Sequence, residues 1–214
     1  YREMYQQSIN DPDTFWAEQA DQFLTWEKRW DKVSDWDFHE GRAQWFINGK
    51  LNACVNCVDR HLPERANQTA IIWEGDEPND DKTISYQQLH DEVCRFANVL
   101  KSRGVTKGDR VCIYMPMIPE AVYAMLACAR IGAIHSVVFG GFSPKALQDR
   151  ILDAKCETVI TADEGIRGAK HIPLKANTDI ALKECPDVHT CLVVKRSGNQ
   201  VDWHDSRDVW YHEL

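Results

Sequence analysis

From residue 69 to 194, short β-branched runs alternate with longer stretches of helical periodicity, and this limits the fold more than any other feature. Residues 69–73, 111–114, 134–139, 158–161 and 191–194 are strand-like. Between them, Ser85 and Gln88 form a capping-box pattern ahead of one helical face made by Leu89, Val93, Phe96, Ala97 and Leu100, and Gly104 ends that helix. Pro116 and Pro119 bracket a turn before a helix over 120–131 that is apolar nearly all round. Further helices are predicted over 143–154 and 177–185. This order means βαβ units with right-handed crossovers. The fold class is therefore α/β, an open and mainly parallel sheet with flanking helices. The polar and aromatic tail after Ser197 carries no clear pattern.

Residues 1–62 differ in character. They hold Trp16, Trp26, Trp30, Trp36 and Trp45, five of the eight tryptophans. Asp11-Pro12-Asp13 reads as a helix start, and Phe15, Trp16, Ala20, Phe23 and Leu24 follow at helical spacing. The sheet is thus preceded by a Trp-rich helical arm, whose aromatics read as packing surface rather than as a sugar or base platform. The domains are an arm over 1–62 and an α/β part over 63–214. A sheet that stops at Val194 without a closing partner is expected to expose an apolar face.

The net charge of −8 argues against nucleic-acid or anionic-membrane partners, which a basic surface would favour. An anionic ligand would need a local cluster of cations. The eight cysteines lie mostly in apolar runs, a pattern of free thiols in a reducing cytoplasm. No apolar run is long enough for a spanning helix, and the chain begins without Met and without a signal-peptide pattern, which reads as a trimmed start.

Two places suit an anion. Gly140-Gly141 follows the strand over 134–139, and Ser143-Pro144 then opens a helix. Glycines allow close backbone approach, helix N-termini attract anions, and ligands of open α/β sheets bind beyond the carboxyl ends of strands. The same residues also make an ordinary strand-to-helix turn. Arg167 and Lys170 follow the strand over 158–161, with Gly165 and Gly168 in the turn. They are a phosphate-binding pair or a solvated basic loop. Lys175 and Arg150 are not brought to that spot by helical periodicity. Cys54 and Cys57 form a lone CxxC without a second pair, so structural burial is the better reading. Asp163-Glu164 reads as a turn rather than an acid/base couple. No GxxxxGK[ST] phosphate loop occurs.

Over nearly its whole length the sequence closely resembles the acetyl-CoA synthetases of the adenylate-forming acyl-CoA ligase superfamily. The resemblance runs through Asp13-Thr14-Phe15-Trp16, Gly49-Lys50-Leu51-Asn52 and the segment from Asn56 to His61. It continues through the segments Ala70 to Gly75, Val93 to Asn98 and Ile113 to Met117, and above all through Met125 to Pro144. It implies a parent acetate–CoA ligase: acetate and ATP give acetyl-adenylate and pyrophosphate with magnesium, then CoA gives acetyl-CoA and AMP. It implies CoA-binding roles for Phe139, Gly140, Gly141, Arg167 and Lys170. The last stands where the family usually has Arg, keeping the charge but losing the planar fork. It assigns no catalytic residue and no metal ligand to this chain. The phosphate loop, acetate pocket, ribose-binding aspartate and catalytic lysine are expected in sequence outside these residues. The chain is accordingly expected to be the N-terminal fragment of a cytoplasmic ligase, inactive alone, with the remainder of the ligase as its partner. A propionate–CoA ligase fragment and a free-standing nucleotide-binding module are the alternatives.

Overall fold

A computed structural model describes residues 1–168 and 170–214. The chain divides into two compact units, Tyr1–His61 and Leu62–Leu214.

In the first unit, α1 (Arg2–Asn10) leads into α2 (Pro12–Phe23). Asp11 caps α2 by accepting from Thr14 N–H at 3.2 Å, and Pro12 sits in the first turn, where its missing N–H costs nothing. Only Phe15 and Ala20 of α2 are buried, while Trp16 and Phe23 stay exposed. The arm is not helical throughout: β1 (Lys32–Asp37) and β2 (Arg42–Ile47) form an antiparallel hairpin. Trp26, Trp30 and Phe46 cluster with ring centroids 4.8–5.4 Å apart, so part of the tryptophan content is the unit's own small core. The short α3 (Ala53–Cys57) is capped by Asn52. Cys54 is buried there and Cys57 is exposed.

The second unit opens with α4 (Leu62–Arg65) and an antiparallel pair, β3 (Thr69–Glu74) and β4 (Asp81–Ser85). Both bonds of the Ser85/Gln88 capping box are made, and they start α5 (Tyr86–Ser102), whose Leu89, Val93, Phe96, Ala97 and Leu100 are buried. Next come β5 (Arg110–Met115), α6 (Pro119–Ile131), β6 (Ile134–Phe139), α7 (Pro144–Ala154) and β7 (Thr158–Ala162). A small hairpin, β8 (Gly165–Arg167) with β9 (Lys170–Ile172), stands where the sequence suggests only a turn. Then α8 (Leu174–Leu182), β10 (Thr190–Val194) and β11 (Asp208–Trp210) complete the unit.

The main sheet is parallel, in the order β11-β10-β7-β5-β6. The chain steps from β5 outward to β6, then returns across β5 to β7 and continues to β10 and β11. Right-handed crossovers in opposite directions put α6 and α7 on opposite faces of the sheet, with α5 packed on α6 and α8 on α7. Covered on both sides, β7 and β10 are buried along their whole length, so even Thr158, Thr161 and Thr190 lie in the interior. The expectation of an open apolar side at Val194 is corrected: β11 pairs with β10 there. The exposed apolar edge lies on β6, at Ile134, Val137 and Phe139.

A buried ionic cluster secures the β11 side. Lys175, with no exposed side chain, donates to both oxygens of Asp179 at 2.8 Å and pairs with Asp208 at 2.8 Å. Arg207 reaches the same two carboxylates at 2.6 and 2.7 Å. Burial works to raise the Asp208 carboxyl pKa, but the hydrogen bonds from Arg207 and Lys175 outweigh it and the net shift is downward.

Candidate functional site

The reversal of direction after β6 leaves the carboxyl ends of neighbouring strands free of a common covering loop, the usual place for a ligand in an open α/β sheet. Here β5 runs out into Pro116 and Met117, β6 into Gly140-Gly141, and β7 into Asp163 and the β8–β9 hairpin. Together with the end of β3 they enclose a groove of about 640 Å³. Phe139, Gly140, Gly141 and Arg167 line it. Lys170 does not: it lies opposite Arg167 in the hairpin register and is exposed.

The glycine pair has a packing reason that its sequence pattern does not reveal. A Cβ on Gly140 would stand 3.2 Å from the Met115 carbonyl and 3.5 Å from Leu174 Cδ2, and one on Gly141 would stand 2.5 Å from the Phe139 ring. The turn is held from below by Tyr114, whose hydroxyl donates to the Phe142 carbonyl at 2.8 Å and accepts from Asn177 Nδ2 at 3.3 Å. Burial pushes the Tyr114 phenol pKa up. Ser143 caps α7 through Ala146 N–H.

Two arginines reach the groove, each set against an aromatic ring. The Arg167 guanidinium stands 6.0 Å from the Phe139 centroid, and that of Arg196 stands 5.1 Å from Trp73. Arg196 also pairs with Asp80 at 2.5 Å, and Trp73 donates its indole N–H to the Met117 carbonyl at 2.7 Å. The hairpin is tied in place by Gly168 N–H to Asp76 at 2.9 Å and by His171 against Glu164 at 2.8 Å. The hydrogen bond with His171 holds the Glu164 carboxyl below the usual carboxylate range. Arg150 stacks on Phe142 and Lys175 is enclosed in the ionic cluster, so neither joins the groove.

Sequence reading misses Trp73, Met117 and Arg196 as lining residues. They come from segments remote in the chain and carry no local motif. Among the described residues lining the groove there is no Ser, Thr, Cys or His. The arrangement offers an apolar floor, planar stacking surfaces and two guanidinium groups. It is suited to holding a ligand that is planar at one end and anionic at another. Among the described residues, no three His, Cys, Asp or Glu side chains are grouped to hold a metal ion. No helix among them is long and apolar enough to cross a membrane.

These features place a groove at the strand ends of an α/β sheet, and comparison with known families names the class. Residues 58–212 match the family model described as AMP-binding enzyme, and the chain belongs to that family. Residues 1–57 match the model described as acetyl-coenzyme A synthetase N-terminus. Among curated relatives, an acetyl-coenzyme A synthetase of Alcanivorax borkumensis is 72% identical over 213 residues, covering 100% of this chain and 33% of the relative. One from Saccharophagus degradans is 65% identical with the same coverage. The chain thus spans about a third of the length of these relatives. Among solved structures, an acetoacetyl-CoA synthetase from Streptomyces lividans superposes with a TM-score of 0.86 at 25% identity. That match covers 98% of this chain and 32% of the other.

Proposed function

We propose that this chain is the N-terminal portion of an AMP-forming acetate–CoA ligase and that its groove is part of the surface that holds CoA. In the parent reaction, acetate attacks the α-phosphorus of ATP, giving acetyl-adenylate and releasing pyrophosphate. The CoA thiolate then attacks the acetyl carbonyl, forming the thioester and expelling AMP. This chain contributes binding to the second step. Arg167 supplies a fixed cation for a phosphate of CoA, Phe139 and the Gly140-Gly141 turn offer a surface for the nucleotide, and Lys170 adds charge from outside the groove. The observation that carries the reading is that Phe139, Gly140, Gly141 and Arg167, separated by up to 28 positions, border one groove.

The arm over 1–62 and the truncated adenylation part over 63–214 are read as two segments of that ligase, working in the cytoplasm with the remainder of the chain as partner. The names of the relatives favour acetate over propionate. Magnesium belongs to the ATP-dependent step of the parent reaction.

Two assays on the pure 214-residue chain test the reading. Calorimetric titration with CoA is expected to show binding that Arg167→Ala weakens. Acetate-dependent ATP–pyrophosphate exchange is expected to stay at background. Absence of CoA binding, or exchange above background, would refute the division of labour proposed here.

A further inference from the structure

We propose that Asp163 is the positioning residue of the groove: one buried carboxylate gathers the backbone of the two segments that deliver Arg167 and Arg196. Asp163 is only 1% exposed. Its Oδ1 accepts from the amides of Glu164 at 2.7 Å and Arg196 at 2.8 Å. Its Oδ2 accepts from Gly198 N–H at 2.7 Å, and Ser197 N–H lies 3.2 Å from both oxygens. The Ser197 hydroxyl donates to Oδ2 at 3.3 Å. The main chain of the same residue completes the junction. Its N–H donates to the Val194 carbonyl at 2.9 Å, and its C=O accepts from Lys175 N–H at 3.2 Å. The end of β7, the end of β10 and the start of α8 therefore meet at one residue.

These partners are main-chain amides and a hydroxyl. A carboxylate held this way dictates backbone direction, because each amide can point only one way. That matters for the hairpin. Two strands of three residues are too short to be stable alone, so Arg167 stands where the stem at Asp163-Glu164 holds it. The same carboxylate fixes Arg196 through its own amide, and the turn it closes contains Gly198 at φ +78°. Arg196 then leans on Trp73 and Asp80 across the groove. Asp163 need not touch a ligand to set the positions of both guanidinium groups.

Asp163→Asn keeps the shape and replaces one acceptor oxygen by an NH₂ donor. Whichever way the amide turns, an N–H then faces either Glu164 and Arg196 or Gly198. Hydrogen–deuterium exchange on the ligand-free chain should show the amides of Glu164, Arg196 and Gly198 exchanging about ten- to a hundred-fold faster, with α5 unchanged. The second arm rests on the CoA reading above. Asp163→Asn should weaken CoA binding about ten-fold, and the loss should shrink in an Arg167→Ala background, because the two residues act through the same contact. A merely structural role would leave the two losses additive. Unchanged exchange at those amides, or faster exchange with CoA affinity unaltered, or strict additivity, would each overturn the proposal. If the wild-type chain binds no CoA, the ligand reading falls and exchange alone decides the role of Asp163. Should Asp163→Asn fail to fold, Ser197→Ala removes the hydroxyl contact to Asp163, together with the bond that hydroxyl accepts from Asn199 N–H at 3.2 Å, and leaves the carboxylate in place. Faster exchange at Arg196 and Gly198 then supports the proposal, and unchanged exchange there overturns it.

Discussion

Replacing Lys175 by Met should destabilise the α/β unit far more than a typical lysine substitution. The Lys175 ammonium is fully enclosed and pairs with Asp179 and Asp208, while Arg207 reaches both of the same carboxylates. Two cations and two carboxylates sum to zero charge. Met keeps the apolar stem and leaves the cluster at −1 in a buried setting. Breaking a buried pair costs about 3–5 kcal/mol. Here the lower end applies, since Arg207 remains and the Asp179 side chain keeps 13% exposure through which water can help. For a domain of this size, about 3 kcal/mol corresponds to a fall in Tm of roughly 6–12 °C. Differential scanning calorimetry at neutral pH measures it. Adding Asp208→Asn restores neutrality and should recover part of the loss. The pH dependence follows from the direction of the Asp208 shift. A folded-state pKa held below the unfolded value of about 3.9 gives stability that is present above that value and lost as pH falls through the folded one. The gap between wild type and Lys175→Met should therefore narrow in acid. A Tm change under 2 °C, or no recovery in the double variant, would refute the reasoning.

Three further outcomes are expected. Gly140→Ala should cost about 1–3 kcal/mol in chemical denaturation, because the new methyl meets the fixed Met115 carbonyl. Gly141→Ala should cost less but shift the Phe139 ring, visible as changed ring proton resonances. Iodoacetamide should label Cys57 first and the half-buried Cys94 more slowly. Cys54, Cys112, Cys128, Cys156, Cys185 and Cys191 should react only on unfolding, since they are buried. Burial also raises the thiol pKa, to about 12 at Cys128 and Cys191 and to about 11 at Cys156. Mass spectrometry of timed samples checks the order.

What could be read from sequence was whatever local physics decides by itself. β7 and β10 are short runs rich in β-branched residues, buried throughout because both faces are covered. α5 announces itself through the Ser85/Gln88 box and one clean apolar face. What could not be read depends on distant partners. In the arm, β1 and β2 carry Trp36 and Trp45 on exposed positions, so no burial pattern marks them as strands. The β8–β9 hairpin is held by Asp163, Asp76 and the Glu164–His171 pair rather than by propensity. β11 is short and depends on Asp208, which is buried only because Lys175 and Arg207 neutralise it. Helix α8 starts at Leu174, three residues before the predicted position of 177, with no side-chain cap to signal it. The groove was half legible: Gly140, Gly141 and Arg167 sit at strand ends, whereas Trp73 and Arg196 reach it only through folding.

The measurement that bears most directly on the proposed CoA role is steady-state kinetics of the proposed full-length ligase carrying Arg167→Ala, with its two half-reactions assayed separately. An exposed charge-assisted contact to a CoA phosphate lies at the low end of about 1.5–3 kcal/mol, or about ten-fold in affinity. The KM for CoA should therefore rise about ten-fold, while acetate-dependent ATP–pyrophosphate exchange, which involves no CoA, should stay within about two-fold of wild type. If exchange falls as far as overall turnover, Arg167 supports the fold rather than CoA, and the groove is not the CoA surface.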